Sequence, residues 1–173
     1  MRAASASAID IFLQPGEHFV GDDTFRIRTL LGSCVAITLW HRARRVGAMS
    51  HFLLANRGTS SSGELDGRYG DEAVALMAEG LARAGVRVGE CQAKLFGGGN
   101  MFPGLSLGGP TSVGRVNGDA ARELVRALGV RVVSESLFGV GHRNVVLDIR
   151  TGDVWVRRPG PGKAAGVQQG EAG

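Results

Sequence analysis

The sequence predicts a single α+β domain, and three observations carry that prediction. The chain has 173 residues, 43% of them apolar, which suits one domain with a sizeable core. Several short segments alternate apolar and polar residues at strand period, while two longer ones repeat apolar residues at helix period. Glycine accounts for 28 of the 173 residues without a collagen-like repeat, so tight turns between short elements are expected.

Residues 1–8 are small and polar and are expected to form a disordered tail. Ile9, Ile11 and Leu13 alternate along a first strand, and Gln14-Pro15-Gly16-Glu17 follows as a turn. Phe25, Ile27 and Thr29 alternate with Arg26, Arg28 and Leu30 along a second strand that leads into Gly32-Ser33. Residues 34–40 and 45–53 alternate around a basic break at Arg42 to Arg45 and read as an antiparallel hairpin. Residues 56–67, rich in Gly, Ser, Asn and Asp, read as a surface loop that is close enough to His51 to serve as a flap.

Residues 69–85 predict a helix with Asp71 as N-cap. Its apolar stripe is Ala73, Leu76, Met77, Gly80, Leu81 and Ala84, and Gly85 stops it. Cys91 opens a short strand over residues 92–96 as a small buried hydrophobe. Residues 97–110 are dense in glycine but match neither the phosphate loop nor the dinucleotide fingerprint. They either bring backbone amides to a substrate or make a tight crossing. Residues 118–128 predict a second helix, capped by Asn117 or Asp119, with Ala121, Leu124, Val125 and Leu128 on one stripe. A strand over 130–135, a turn over 138–144 and a terminal hairpin around Thr151-Gly152-Asp153 complete the domain, which is expected to span residues 9–157. The tail from residue 159 is rich in Gly, Pro, Ala and Gln and is expected to be disordered.

Composition narrows the function. No apolar run approaches the roughly 18 residues of a membrane span, and the N-terminus lacks a signal-peptide core, so a cytoplasmic protein without membrane insertion is expected. The two cysteines, Cys34 and Cys91, are widely separated and form no CxxC, which argues against a disulfide framework or a zinc ribbon. His41, His142 and His18 make no metal-ligand pattern with them; no metal and no cofactor are expected. The net charge of +4 reads first as that of a soluble, arginine-rich protein and second as a basic surface for an acidic macromolecular partner. With aromatic residues at 6% and no recurring arginine–aromatic patch, nucleic acid is not the expected partner.

The chemistry concentrates between Arg28 and Ala55. A thiol and an imidazole are the minimum pair for thiolate catalysis. A four-residue loop from His41 to Arg44 would set Cys34 opposite His51, Ala36 opposite Met49 and Thr38 opposite Gly47. Val35, Ile37, Leu39, Val46, Ala48 and Phe52 would form the other, core-facing side. An adjacent imidazolium would lower the Cys34 pKa. The bend at Gly32 and Ser33 would offer backbone N–H groups to an oxyanion, and Thr29 is one candidate to orient the imidazole.

The run Thr29-Leu30-Leu31-Gly32-Ser33-Cys34-Val35-Ala36, followed by Gly47-Ala48-Met49-Ser50-His51, resembles the signature of the CheD family of chemoreceptor glutamine deamidases. Arg68-Tyr69-Gly70-Asp71, Lys94-Leu95-Phe96-Gly97-Gly98, Val113-Gly114-Arg115-Val116-Asn117 and Val140-Gly141-His142-Arg143-Asn144-Val145 fall in the family's order. The resemblance implies a cysteine hydrolase. Cys34 would attack a receptor glutamine, His51 would protonate departing ammonia, and Thr29 would be the third residue, although some members keep that threonine where this chain has Arg28. It implies a β-sandwich of mixed, largely antiparallel sheets with helices packed outside, in α/β-β/α layers like the cytotoxic necrotizing factor type deamidases. It also implies methyl-accepting chemotaxis receptors as partners and, in some bacteria, the CheC phosphatase. A non-enzymatic adaptor binding the same partners is the alternative from a different class.

Overall fold

A computed structural model describes residues 6–58, 63–105 and 109–159. Nine strands among these residues form two sheets. The four-stranded sheet has the order β1 (Ile9–Leu13), β3 (Phe25–Leu31), β8 (Arg143–Asp148) and β9 (Val154–Arg157). The five-stranded sheet has the order β2 (His18–Gly21), β5 (Val46–Ser50), β4 (Val35–His41), β6 (Gln92–Gly97) and β7 (Arg131–Leu137). β1–β3 and β6–β7 pair parallel and the other neighbours antiparallel, so the sheets are mixed and largely antiparallel. The edge strand β2 has no counterpart among the predicted elements.

Alternation sorts the side chains. Val35, Ile37, Leu39, Val46, Ala48 and Phe52 turn to one side of the five-stranded sheet, where they pack with Ala73, Met77, Leu81, Ala121 and Val125 of the two helices. Ala36, Trp40, Met49 and Phe96 turn to the other side and meet Leu13, Ile27, Leu31, Val145, Leu147, Val154 and Val156 of the four-stranded sheet. The central hairpin is thus buried on both faces. Only the first face was expected to be core.

Helices α1 (Gly70–Arg83) and α2 (Val113–Ala127) both lie on the five-stranded sheet, against β2, β4, β5, β6 and β7. The layers therefore run α–β–β and not α/β-β/α. The outer side of the four-stranded sheet mixes Asp10, Arg26, Arg28 and Arg157 with Phe12, Leu30, Val146 and Trp155, and no described helix covers it. α1 begins without a side-chain cap, with Asp71 in its first turn, and ends as expected at Gly85, which has φ +77°. α2 starts earlier than predicted because Ser112 accepts a hydrogen bond from the Arg115 N–H at 3.3 Å. Asn117 is consequently inside the helix and is not its cap.

The hairpin register also differs. Thr38 pairs with Met49, Trp40 with Gly47 and His41 with Val46, a slip of two residues from the predicted pairing. The loop is Arg42 to Arg45, with Arg45 in the left-handed region at φ 48° and the Arg44 N–H bonded to His41 Nδ1 at 3.1 Å. A two-residue slip preserves the faces, so Cys34 and His51 still share one.

Candidate active site

His51 is placed by its neighbours on both sides. Phe52 is fully buried in the helix-side core, a burial that stabilises by about 1.5–3 kcal/mol. It is bridged to Val35 by hydrogen bonds of 3.1 and 3.0 Å. The His51 N–H donates to Glu17 O at 3.0 Å, and its carbonyl accepts from the Gly16 N–H at 2.8 Å. Alternation then turns the imidazole away from Phe52, into the space between the sheets, where it is 2% exposed.

There it meets Thr29, which is 1% exposed on β3 of the opposite sheet. Thr29 Oγ1 lies 2.7 Å from His51 Nδ1 and donates to Leu13 O at 2.9 Å. A hydroxyl has one hydrogen, and Leu13 takes it. The remaining contact must therefore run from an Nδ1–H into the hydroxyl oxygen, which leaves the Nε2 lone pair free. Thr29, not Arg28, contacts the imidazole; Arg28 is on the outer side of the sheet in an ion pair with Asp10 at 3.3 Å.

The bend at Gly32, Ser33 and Cys34 is held through its carbonyls. Gly32 O accepts from the Gly99 N–H at 2.9 Å and Cys34 O from the Gly98 N–H at 2.9 Å. Ser33 O accepts from Asn117 Nδ2 at 3.3 Å. In a trans peptide the N–H opposes the C=O, so each anchored carbonyl aims the next N–H the other way. Among the described residues, the N–H groups of Ser33 and Cys34 meet no backbone or side-chain oxygen. The glycine-dense stretch is thus a tight crossing whose amides brace the bend. A Cβ on Gly97 would come within 2.2 Å of Cys34 O. Residues 106–108 of that stretch, like 59–62 of the expected flap, lie outside the described residues. Beside the latter, Arg57 is paired to Glu72 at 2.8 Å.

The electrostatics differ from the expected thiolate–imidazolium pair. Burial raises the Cys34 pKa, opposed only by its own backbone N–H. Burial also pushes His51 down to about 4. At neutral pH the resting side chains are a thiol and a neutral imidazole. Cys34 is half-buried and free, and with the observed register it lies diagonally across the hairpin from His51, with Cβ atoms about 7 Å apart. Cys91 is buried at the far end of β6, its pKa raised to about 11 by burial. His41 pairs with Glu90 at 3.5 Å away from the bend, and His142 is exposed. No group of three or more potential metal ligands occurs among the described residues, and no described helix is long and apolar enough to cross a membrane.

Two residues at this site escaped the sequence reading. Asn117 is buried on α2, and its Nδ2 donates both to Ser33 O and, at 2.7 Å, to Leu53 O. One amide thereby joins the thiol's bend to the segment after His51. The signal was available, because Asn117 falls in line with Ala121 and Val125 on the buried stripe. Arg143, read as part of a turn, is fully buried and donates to Ser136 O at 2.6 Å and to Phe138 O. It pairs in register with Leu31, immediately before the bend.

Comparison with known proteins shows the family of the chain. The family described as CheD chemotactic sensory transduction matches residues 53–158. A protein of Albidiferax ferrireducens named "Probable chemoreceptor glutamine deamidase CheD 2" is 56% identical over 166 residues, covering 95% of this chain and 94% of that protein. "Probable chemoreceptor glutamine deamidase CheD 3" of Dechloromonas aromatica is 43% identical over 92% of this chain and 93% of its own length. "Probable chemoreceptor glutamine deamidase CheD 1" of Chromobacterium violaceum is 42% identical over 86% of this chain and 77% of its own.

Proposed function

Because the chain belongs to the CheD family, we propose that it hydrolyses the side-chain amide of specific chemoreceptor glutamines to glutamate, with Cys34 as nucleophile and His51 as the proton carrier. The observation that carries this reading is the contact between Thr29 and His51. A threonine that has already donated its hydrogen to Leu13 holds the imidazole with Nε2 as acceptor, the form a general base requires.

The resting pair is neutral, so deprotonation accompanies attack. Cys34 Sγ bonds to the carboxamide carbon while Nε2 takes the thiol proton. The oxygen that becomes anionic faces the N–H groups of Ser33 and Cys34, set by their anchored neighbours. The imidazolium, stabilised at Nδ1–H by Thr29, then gives the Nε2 proton to the departing nitrogen, and ammonia leaves a thioester. Water, deprotonated by Nε2, attacks that carbon, and glutamate and free thiol are released. Beside the bend, an open depression of about 270 Å³, lined by Leu54, Val113, Val116 and Asn117, suits the apolar side of a receptor segment.

The test is intact-mass analysis of a co-expressed receptor fragment. Wild type should raise its mass by the increment of an amide-to-acid exchange at each modified glutamine, and Cys34→Ala should abolish the change. Receptor binding without any mass change in wild type would favour the non-enzymatic adaptor.

A further inference from the structure

Phe138, the residue after β7, has a left-handed backbone at φ 69°, a conformation that crowds the Cβ of a non-glycine residue against the following carbonyl. Such strain persists only where the surroundings over-determine it, and here they do. The Phe138 N–H donates to Gly97 O at 2.8 Å. Its ring sits over Gly118 of α2, where a Cβ would come within 2.4 Å of it, and beside Gly98, where a Cβ would come within 3.5 Å. The Arg115 guanidinium lies 4.2 Å from the ring centroid, and the Phe138 carbonyl accepts from Arg143 Nη2.

Arg143 is the costliest member of this cluster. It is fully buried. Burial, with Arg158 nearby, lowers its pKa to about 10, so it is charged at neutral pH. Nη1 donates to Ser136 O at 2.6 Å and Nη2 to Phe138 O, while Nε has no partner among the described residues. No carboxylate among them pairs with it either. A buried charge without a counter-charge is unfavourable, and an apolar side chain of similar length would fill the space at less cost. What the guanidinium alone supplies is a rigid fork across two carbonyls, one of them that of the strained Phe138. These bonds lead to the nucleophile. Gly97, held by Phe138, opens the crossing whose next two N–H groups anchor Cys34 O and Gly32 O. Gly118, under the ring, follows Asn117, which anchors Ser33 O. All three carbonyls of the bend are thus fixed by segments that Phe138 contacts. Arg143 also flanks the bend itself. Its main chain pairs with Leu31, and a Cβ on Gly99 would lie 3.2 Å from Gly32 O and 3.5 Å from Arg143 Nη2.

We propose that Arg143 is a positioning residue for amide hydrolysis, a role that rests on the deamidase activity proposed above. By holding Phe138 in its left-handed conformation, it fixes the crossing that aims the Ser33 and Cys34 N–H groups at the substrate oxyanion. Without the fork, Phe138 relaxes toward an ordinary φ, its N–H leaves Gly97 O, and the N–H groups of the bend turn away from the point where negative charge develops. Attack on a carboxamide then slows, because it forms an oxyanion. Displacement of iodide from iodoacetamide by the Cys34 thiol does not, because it forms none.

The test compares these two reactions in the full chain, with circular dichroism as the check of folding. In Arg143→Met, kcat for ammonia release from a receptor fragment should fall about 10²-fold with KM nearly unchanged, while Cys34 alkylation by iodoacetamide keeps the wild-type rate. Arg143→Lys keeps the charge but not the fork and should recover only part of kcat. Gly118→Ala, whose Cβ displaces the Phe138 ring and leaves the guanidinium in place, should show the same split and decides alone if the Arg143 variants do not fold. Wild-type kcat in folded Arg143→Met overturns the proposal. A loss of kcat matched by an equal loss of alkylation rate also overturns it, because the whole site has then loosened, and full recovery in Arg143→Lys assigns the effect to charge instead of position. A wild-type chain that releases no ammonia removes the deamidase reading and this role with it, whereas an active wild type with unaffected variants removes this role alone.

Discussion

Replacing Thr29 by valine isolates the contact on which the catalytic reading depends. The shape is nearly kept, but Oγ1 is lost, and with it the donation to Leu13 O at 2.9 Å and the acceptance from His51 Nδ1 at 2.7 Å. Thr29, Leu13 and His51 are all buried, so water does not readily replace the hydroxyl. A buried polar group without a partner costs about 1–3 kcal/mol. Two such groups, the Leu13 carbonyl and the imidazole N–H, make the expected loss of stability about 2–6 kcal/mol. The effect on catalysis should be larger than stability explains. With Nδ1 facing a methyl group the imidazole no longer prefers the form with Nε2 free, and a positioned acid–base group is worth roughly 10²–10⁴ in rate. We expect kcat for a receptor fragment to fall about 10²-fold or more in Thr29→Val, with KM little changed. Thr29→Ser keeps the hydroxyl and should retain activity near wild type, and Arg28→Ala should do the same. The assay is initial-rate ammonia release on protein shown to be folded by circular dichroism. Near-wild-type kcat in folded Thr29→Val, or collapse in Arg28→Ala, would refute the assignment.

His51 predicts a pH dependence with a definite sign. Burial holds it at about 4 against the ordinary 6.5, so between those values the unfolded chain binds a proton that the folded chain refuses. Its contribution to stability is full above pH 6.5 and falls as pH drops toward 4, by up to about 3 kcal/mol. Urea unfolding across that window should therefore show a shallower slope for His51→Gln than for wild type, and the acid limb of kcat/KM should lie nearer 4 than 6.5. Asn117→Ala leaves Ser33 O and Leu53 O without their shared donor. It should lower stability by about 1–3 kcal/mol and reduce kcat with KM nearly unchanged, as read from Michaelis–Menten plots. Asn117→Asp can supply no N–H to the two carbonyls when ionised and should not rescue it. Alkylation with iodoacetamide, mapped by peptide mass, should mark Cys34 and spare Cys91, which is buried with a pKa near 11; Cys91→Ala should keep full activity.

The sequence by itself determined what depends on neighbours along the chain. Strand alternation put Cys34 and His51 on one face and Phe52 on the other, and that parity survived a register slip because the slip was of two residues. Helix period placed Met77, Leu81, Ala121 and Val125 against the sheet. The resemblance around Gly32-Ser33-Cys34 located the family. Tertiary structure alone decided what depends on one sheet lying over the other. Thr29 meets His51 only because the sheets stack with β3 facing the end of β5, and no periodicity within either segment encodes that distance. The register itself turned on the left-handed conformation of Arg45, a residue without the usual glycine signal for such a turn. Asn117 reads as a cap by type but becomes a bridge because Ser112 starts the helix earlier. Both described helices share one side of the sandwich, on the five-stranded sheet, an arrangement that no pattern within either helix encodes.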